Sequence, residues 1–174
     1  MIYLGQYLGF TGSSRYFMKQ TIEGPCYNTS RVCEPILRSL PEWFGIETDL
    51  AGYIEKINTL PTFLAKREGQ VIGFLSLIQH NPFSAEIHVM GVTPNAHHQG
   101  IGRALIAHAE SWLHEHHVEY LQVKTLGPSH PDPGYAATRA FYLAVGFRPL
   151  EELKQIWDEY NPCLVMVKHL GDGS

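Results

Sequence analysis

The segment that most narrows what this chain can fold into is a strand that runs into a glycine turn and then into a helix. Ala85 to Val92 has the alternation of a strand, Thr93-Pro94-Asn95 breaks it, and His98-Gln99-Gly100-Ile101-Gly102-Arg103 opens an amphipathic segment reaching about His116. In that segment Ile101, Leu105, Ala109, Trp112 and Leu113 recur at helical spacing. A turn of this kind aims several backbone N–H groups at one point, and the helix N-terminus adds about half a positive charge, so a pyrophosphate is well accommodated. Glycine lets phosphates approach with no Cβ in the way. An ordinary strand-to-helix turn can carry the same residues, so the surrounding context has to decide. Spelling excludes two nucleotide sites. A Walker loop needs Lys-Ser/Thr after its last glycine, where this chain has Arg103-Ala104, and the dinucleotide fingerprint needs a third glycine where Leu105 stands.

The flanking pattern alternates strands and helices. Phe17 to Glu23 reads as a short strand, Thr29 to Leu40 as a helix with Val32, Ile36, Leu37 and Leu40 on one side, and residues 48–58 as a second helix. Pro41 ends the first of these helices. Phe63 to Lys66 and Val71 to Ile78 flank Arg67-Glu68-Gly69-Gln70 as a hairpin. On the strand from Ala85 to Val92, alternation puts Ile87 and Val89 on one face and Glu86, His88 and Met90 on the other. Val118 to Thr125 continues as a strand, Pro128 to Gly134 as a proline-rich loop, and Tyr135 to Val145 as a helix stopped by Gly146. Phe147 to Leu153 and Cys163 to His169 are the last strands. Hairpins interleaved with helices predict an α/β fold, with a mixed, mostly antiparallel sheet of six to seven strands and helices on both faces.

A chain of 174 residues, 44% hydrophobic and 17% charged, is one domain's worth of polypeptide with its own core. The expected division is an N-terminal extension over residues 1–14 and a single folded domain over 15–174. A net charge of −4 supplies no basic field, so neither nucleic acid nor an anionic membrane surface is an expected partner. No apolar run approaches the roughly 18 residues of a spanning helix. Cys26, Cys33 and Cys163 form an odd set without a C-x-x-C pair, and the first basic residue is Arg15, so reduced thiols in a cytoplasmic protein are expected. His114-Glu115-His116-His117 lacks the zincin spacing because Val118 stands where the second ligand belongs, and no metal is expected.

Two motifs carry a family resemblance. His97-His98-Gln99-Gly100-Ile101-Gly102 opens the helix after the central strand, and Phe141-Tyr142-Leu143-Ala144-Val145-Gly146-Phe147 closes a later one. In order and spacing they resemble the GNAT superfamily of acetyl-CoA-dependent N-acetyltransferases, whose cofactor motif is R/Q-x-x-G-x-G/A and whose later helix ends F/L-Y-x-x-x-G-F. His97 departs from the usual Arg or Gln. The resemblance is specific over residues 71–148 and weak before residue 60, where the acceptor site is usually shaped. It implies acetyl-CoA as donor, held by Met90, Gly91 and Val92 on the strand, by His97, His98, Gln99, Gly100, Ile101, Gly102 and Arg103 in the turn, and by Phe141.

Acetyl transfer to an amine needs a neutral nucleophile, a polarised carbonyl and a proton for the departing thiolate. An alkylamine that titrates near pH 10.4 in water is only about 0.04% neutral at pH 7, so a base or desolvation helps. Glu86 lies eleven residues before His97, where the histone-acetylating branch places its glutamate base, and His88 lies where the arylalkylamine branch carries a histidine. Tyr142 matches the tyrosine that protonates the thiolate in the family. Bland alternatives stand beside each: a solvated carboxylate, a satisfied half-buried histidine and a core tyrosine. Glu42, Trp43, Phe44 and His130 are the candidate acceptor residues, and the acidic Glu151, Glu152, Asp158 and Glu159 suit a cationic amine as well as a solvated face. The resemblance thus implies direct transfer to a primary amine of a small molecule, with a peptide as second option. A non-catalytic acyl-CoA-binding module is the alternative from another class, and a homodimer is compatible with family habit.

Overall fold

The computed structural model describes residues 20–171. Over these the chain forms β1 (Gln20–Cys26), α1 (Ser30–Arg38), α2 (Pro41–Phe44), α3 (Glu47–Ile57), β2 (Thr62–Arg67), β3 (Gln70–Asn81) and β4 (Ser84–Val92). After a 3₁₀ turn at Pro94–Ala96 come α4 (Ile101–Glu115), β5 (Tyr120–Leu126), α5 (Pro133–Ala144), β6 (Arg148–Leu153) and β7 (Cys163–His169). The expected extension at residues 1–14 lies outside the described residues. The short α2 has no counterpart in the sequence reading; Pro41 stops α1 but sits at the start of α2, where its missing N–H is harmless and its fixed φ already helical. No described helix is long and apolar enough to cross a membrane.

The strands form one sheet in the order β1-β2-β3-β4-β5-β7-β6. Every neighbouring pair is antiparallel except β4 with β5, which the α4 crossover makes parallel. The mixed, mostly antiparallel sheet with helices on both faces is therefore the fold observed. On one face Ile101, Leu105, Ala109 and Leu113 of α4 bury themselves against Leu75, Leu77 and Ile87. On the other, Ile36 and Leu37 of α1 and Leu50 and Ile57 of α3 cover Leu64, Phe74 and Val89.

This division corrects one sequence expectation. Ser76 pairs with Val89 and Leu77 with Ile87, which leaves His88 without a partner on β3. The extra residue is a β-bulge, and a one-residue insertion reverses the alternation beyond it. Ile87 and Val89 consequently point into different cores, and Met90 packs on the α4 side rather than sharing a face with Glu86. Nothing in the local residues announces the bulge, because no glycine or proline marks it. The α4 core is the principal anchor of the sheet. Leu105→Ala should therefore lower unfolding free energy by roughly 2–5 kcal/mol in urea titration, whereas Leu150→Ala, at a side chain 67% exposed, should stay within about 0.5 kcal/mol.

Candidate active site

Beyond the bulge the two parallel strands separate. β4 and β5 pair from Ser84 with Tyr120 as far as Ile87 with Val123, although the strands themselves run on to Val92 and Leu126. The gap opens a cleft of about 570 Å³ whose walls include residues 89–92 of β4 and Lys124 and Thr125 of β5. Main-chain groups are turned into it. Thr93 N–H donates to Ile72 O of β3 at 2.9 Å, whereas the Val92 carbonyl accepts from His97 Nε2 at 2.8 Å on the opposite side. Since successive peptide groups of a strand alternate sides, those of Met90 turn away from β3 as Val92's do.

The cleft continues to the N-terminus of α4. Gly100 precedes the helix at φ +80, a left-handed conformation that favours glycine, and a Cβ there would meet nothing within 4 Å. Ala104 N–H bonds to Gly100 O at 3.0 Å, so the N–H groups of Ile101, Gly102 and Arg103 before it have no acceptor within the helix. At Gly102 a Cβ would come within 3.0 Å of the Phe141 ring, which packs α5 closely on α4. His97, His98, Gly100, Ile101, Gly102 and Arg103 all border the cleft. Gln99 does not: its amide accepts from Arg67 at 2.8 Å and donates to Asn95 O at 2.8 Å, bracing the turn from outside. Free N–H groups, an added positive helix end and open space above the glycine fit a phosphate-bearing donor.

His88 and Tyr142 both border the cleft. The His88 ring lies 5.3 Å from that of Tyr53, and its buried Nε2 has no hydrogen-bond partner among the described residues. Burial first, then the charges of Lys56 and Lys124, push its pKa down to about 4 against the opposing pull of Glu86. At pH 7 it is a neutral imidazole with a lone pair or a proton to offer. Burial likewise raises the Tyr142 hydroxyl far above its ordinary pKa, so it stays protonated.

Glu86 is placed differently. It is buried and is not part of the cleft wall; its Oε2 accepts from Lys124 Nζ, from His80 Nε2 at 2.7 Å and from Gln122 Nε2 at 3.2 Å. Burial raises its pKa, but the hydrogen bonds and charges of Lys124 and His80 outweigh that, and the net shift is downward. His80 reaches it from a second bulge, between the pairs Gln79 with Ala85 and Asn81 with Ser84. Both residues stand near Tyr53 of α3, but only His88 borders the cleft, while Glu86 is held by Lys124, His80 and Gln122.

Of the acceptor candidates, Trp43 and Phe44 of α2 line the cleft. Trp43 Nε1 donates to Thr138 Oγ1 of α5 at 3.3 Å, and Phe44 stands edge-on to Tyr53 at 5.7 Å. Glu42 is exposed and His130 is half-buried; neither borders the cleft. Lining residues that sequence reasoning did not single out are Tyr53, Lys124, Tyr135, Thr138 and Trp157. Tyr53 falls within the helix read over residues 48–58, with nothing local to mark it as a cleft residue. Tyr135 is fixed by the cap of α5, where Asp132 Oδ1 accepts from its N–H at 2.9 Å.

A family model for the GNAT acetyltransferases matches residues 28–147. Among solved structures, a GNAT-family protein from Desulfovibrio desulfuricans superposes with a TM-score of 0.77 at 16% identity, covering 88% of this chain and 100% of that one. A ribosomal-protein-alanine N-acetyltransferase from Brucella melitensis superposes with a TM-score of 0.64 at 27% identity, covering 86% and 99%. A curated N-acetyltransferase of Bacillus methanolicus is 39% identical over 44 residues, which span 25% of this chain and 37% of that protein.

The Glu86 cluster makes a testable stability statement. A carboxylate whose folded pKa is depressed stabilises the fold above its unfolded pKa, and that contribution disappears as pH falls through the folded value. Lys124→Met removes the largest opposing interaction and leaves the carboxylate buried and under-paired. Urea unfolding at pH 7 should show a loss of roughly 1–3 kcal/mol. The deficit should shrink as pH falls toward about 4, because the variant's less-paired carboxyl protonates there while the parent's, held lower by its partners, protonates only at more acid pH; a deficit independent of pH would contradict this account.

Proposed function

The chain belongs to the GNAT acetyltransferase family, and on that premise we propose that it transfers an acetyl group from acetyl-CoA to a primary amine of a small molecule, in a ternary complex of chain, donor and acceptor. The observation that carries the proposal is the separation of β4 from β5 over the N-terminus of α4, which puts a strand edge, a helix end, His88 and Tyr142 on one cleft. A peptide N-terminus is the second acceptor class, and the alanine N-acetyltransferase of Brucella melitensis supports keeping it in the assay.

The donor supplies the acetyl thioester. In the proposed arrangement the free N–H groups of Ile101, Gly102 and Arg103 hold its phosphates, and the peptide groups of Met90 hold its arm and polarise the carbonyl. Gly91, Val92, His97, His98 and Phe141 shape the same wall. The amine nitrogen forms the new bond to the acetyl carbon as the bond from carbon to sulfur breaks. The neutral His88 accepts the amine's proton, and the Tyr142 hydroxyl gives its proton to the thiolate. Glu86, ionised by its partners, favours the imidazolium so formed by its charge alone. None of the three cysteines borders the cleft, in keeping with direct transfer.

Calorimetric titration with acetyl-CoA followed by thiol release against a panel of amines and peptides tests the proposal. Binding with turnover supports it, binding without any turnover points to an acyl-CoA-binding module, and no binding overturns it. Tyr142→Phe should lower kcat by about 10²-fold or more with acetyl-CoA affinity unchanged, and undiminished turnover would remove the tyrosine from the scheme. With His88 at about 4, it is already deprotonated above pH 6. The rise of kcat/KM with pH therefore belongs to the acceptor amine and should continue up to about pH 9. An inflection between about pH 5 and 7 that His88→Gln abolishes would contradict that assignment.

A further inference from the structure

The acceptor end of the cleft is built of aromatic rings from separate parts of the chain. Trp43 and Phe44 come from α2, Tyr53 from α3, Tyr135 from α5 and Trp157 from the segment between β6 and β7. They line the same cleft as the proposed base, with Tyr53 against both Phe44 and His88 and Trp43 tied to α5 through Thr138. Among the described residues lining the cleft there is no aspartate or glutamate. Its charged lining side chains are Arg103, bonded to Ala144 O beside the turn, and Lys124, bonded to Glu86. The acidic side chains that suggested a cationic amine, at positions 42, 151, 152, 158 and 159, all lie outside the cleft wall, and Glu86 is already engaged by three donors.

We infer that the acceptor is a monoamine carrying an aromatic or similarly broad apolar group, seated among Trp43, Phe44, Tyr53, Tyr135 and Trp157 with its nitrogen toward His88. This rests on the acetyltransferase reading and names its substrate class. Flat rings offer large contact area and edge-to-face partners to another flat ring. One ammonium can approach over their faces before it loses its proton. A second ammonium, as in a polyamine or an aminoglycoside, would be desolvated there beside Lys124, since the nearest carboxylates, Asp49 by Tyr53 and Asp132 by Tyr135, lie outside the cleft wall and Asp132 already accepts from Tyr135 N–H.

The test is thiol release by the full chain at saturating acetyl-CoA with tryptamine, n-butylamine, spermidine and a multiply charged aminoglycoside. Tryptamine should exceed spermidine in kcat/KM by roughly 10²-fold and n-butylamine by about tenfold. Trp43→Ala should raise the KM for tryptamine about tenfold while the calorimetric Kd for acetyl-CoA is unchanged, and Trp43→Phe should restore most of the loss if the ring is what matters. Preference for spermidine or the aminoglycoside overturns the inference and leaves the acetyltransferase reading intact. Acetyl-CoA binding with none of the four amines acetylated overturns it as well. Failure to bind acetyl-CoA at all overturns the acetyltransferase reading and this inference with it.

Discussion

One unpaired residue, His88, governs how the site is built. Up to Ile87 the central strand is an ordinary member of the sheet, hydrogen-bonded on both edges. The bulge at His88 reverses its facing and adds local twist, and from that point the parallel partner β5 no longer follows. A strand that loses one neighbour keeps its side chains packed but exposes the peptide groups of that edge, and buried peptide groups without partners are costly. Such an edge is suited to receive an extended ligand that supplies the missing hydrogen bonds. The cleft, the Met90 and Val92 edge and the placement of His88 are all consequences of that local change in register.

The second organising element is the meeting of α4 with α5. Gly102 allows the Phe141 ring to approach within contact distance, and α5 thereby brings Tyr142 to the cleft wall on its next residue. The same helix starts at a cap made by Asp132 and carries Tyr135 and Thr138 on the aromatic end of the cleft. A single helix thus touches the N-terminus of α4 with its last turn and the aromatic end of the cleft with its first. It is tied to α4 by the Gly102–Phe141 contact near one end and to α2 by the Trp43–Thr138 hydrogen bond near the other.

Electrostatics divide the site into a charged, hydrogen-bonded layer and an apolar one. Glu86, Lys124, His80 and Gln122 form a hydrogen-bonded cluster beneath the point where the strands part. Ion pairs of this depth add little net stability, since desolvation offsets attraction. They do fix which charges face which way: Lys124 turns its ammonium inward to Glu86, and the cleft surface beyond it is left to aromatic and neutral groups. The neutral state of His88 follows from that same surrounding of burial and nearby lysines.

Much of this was legible from residues alone. The apolar spacing from Ile101 to Leu113, the hairpin around Gly69 and the stop at Gly146 are local signals, set by backbone geometry within a few residues, and the elements they announce form with small shifts of boundary. The family resemblance of the two motifs around Gly100 and Tyr142 is likewise sequential, because a helix end and a glycine turn are made by neighbours in the chain. The bulge at His88 was not legible, since it is defined by which residues of β3 lie opposite, a pairing between strands that neither strand specifies alone. The separation of Glu86 from the cleft and the assembly of Trp43, Tyr53, Tyr135 and Trp157 into one wall have the same origin. They bring together residues far apart in sequence, so only the packed sheet and its helices could decide them.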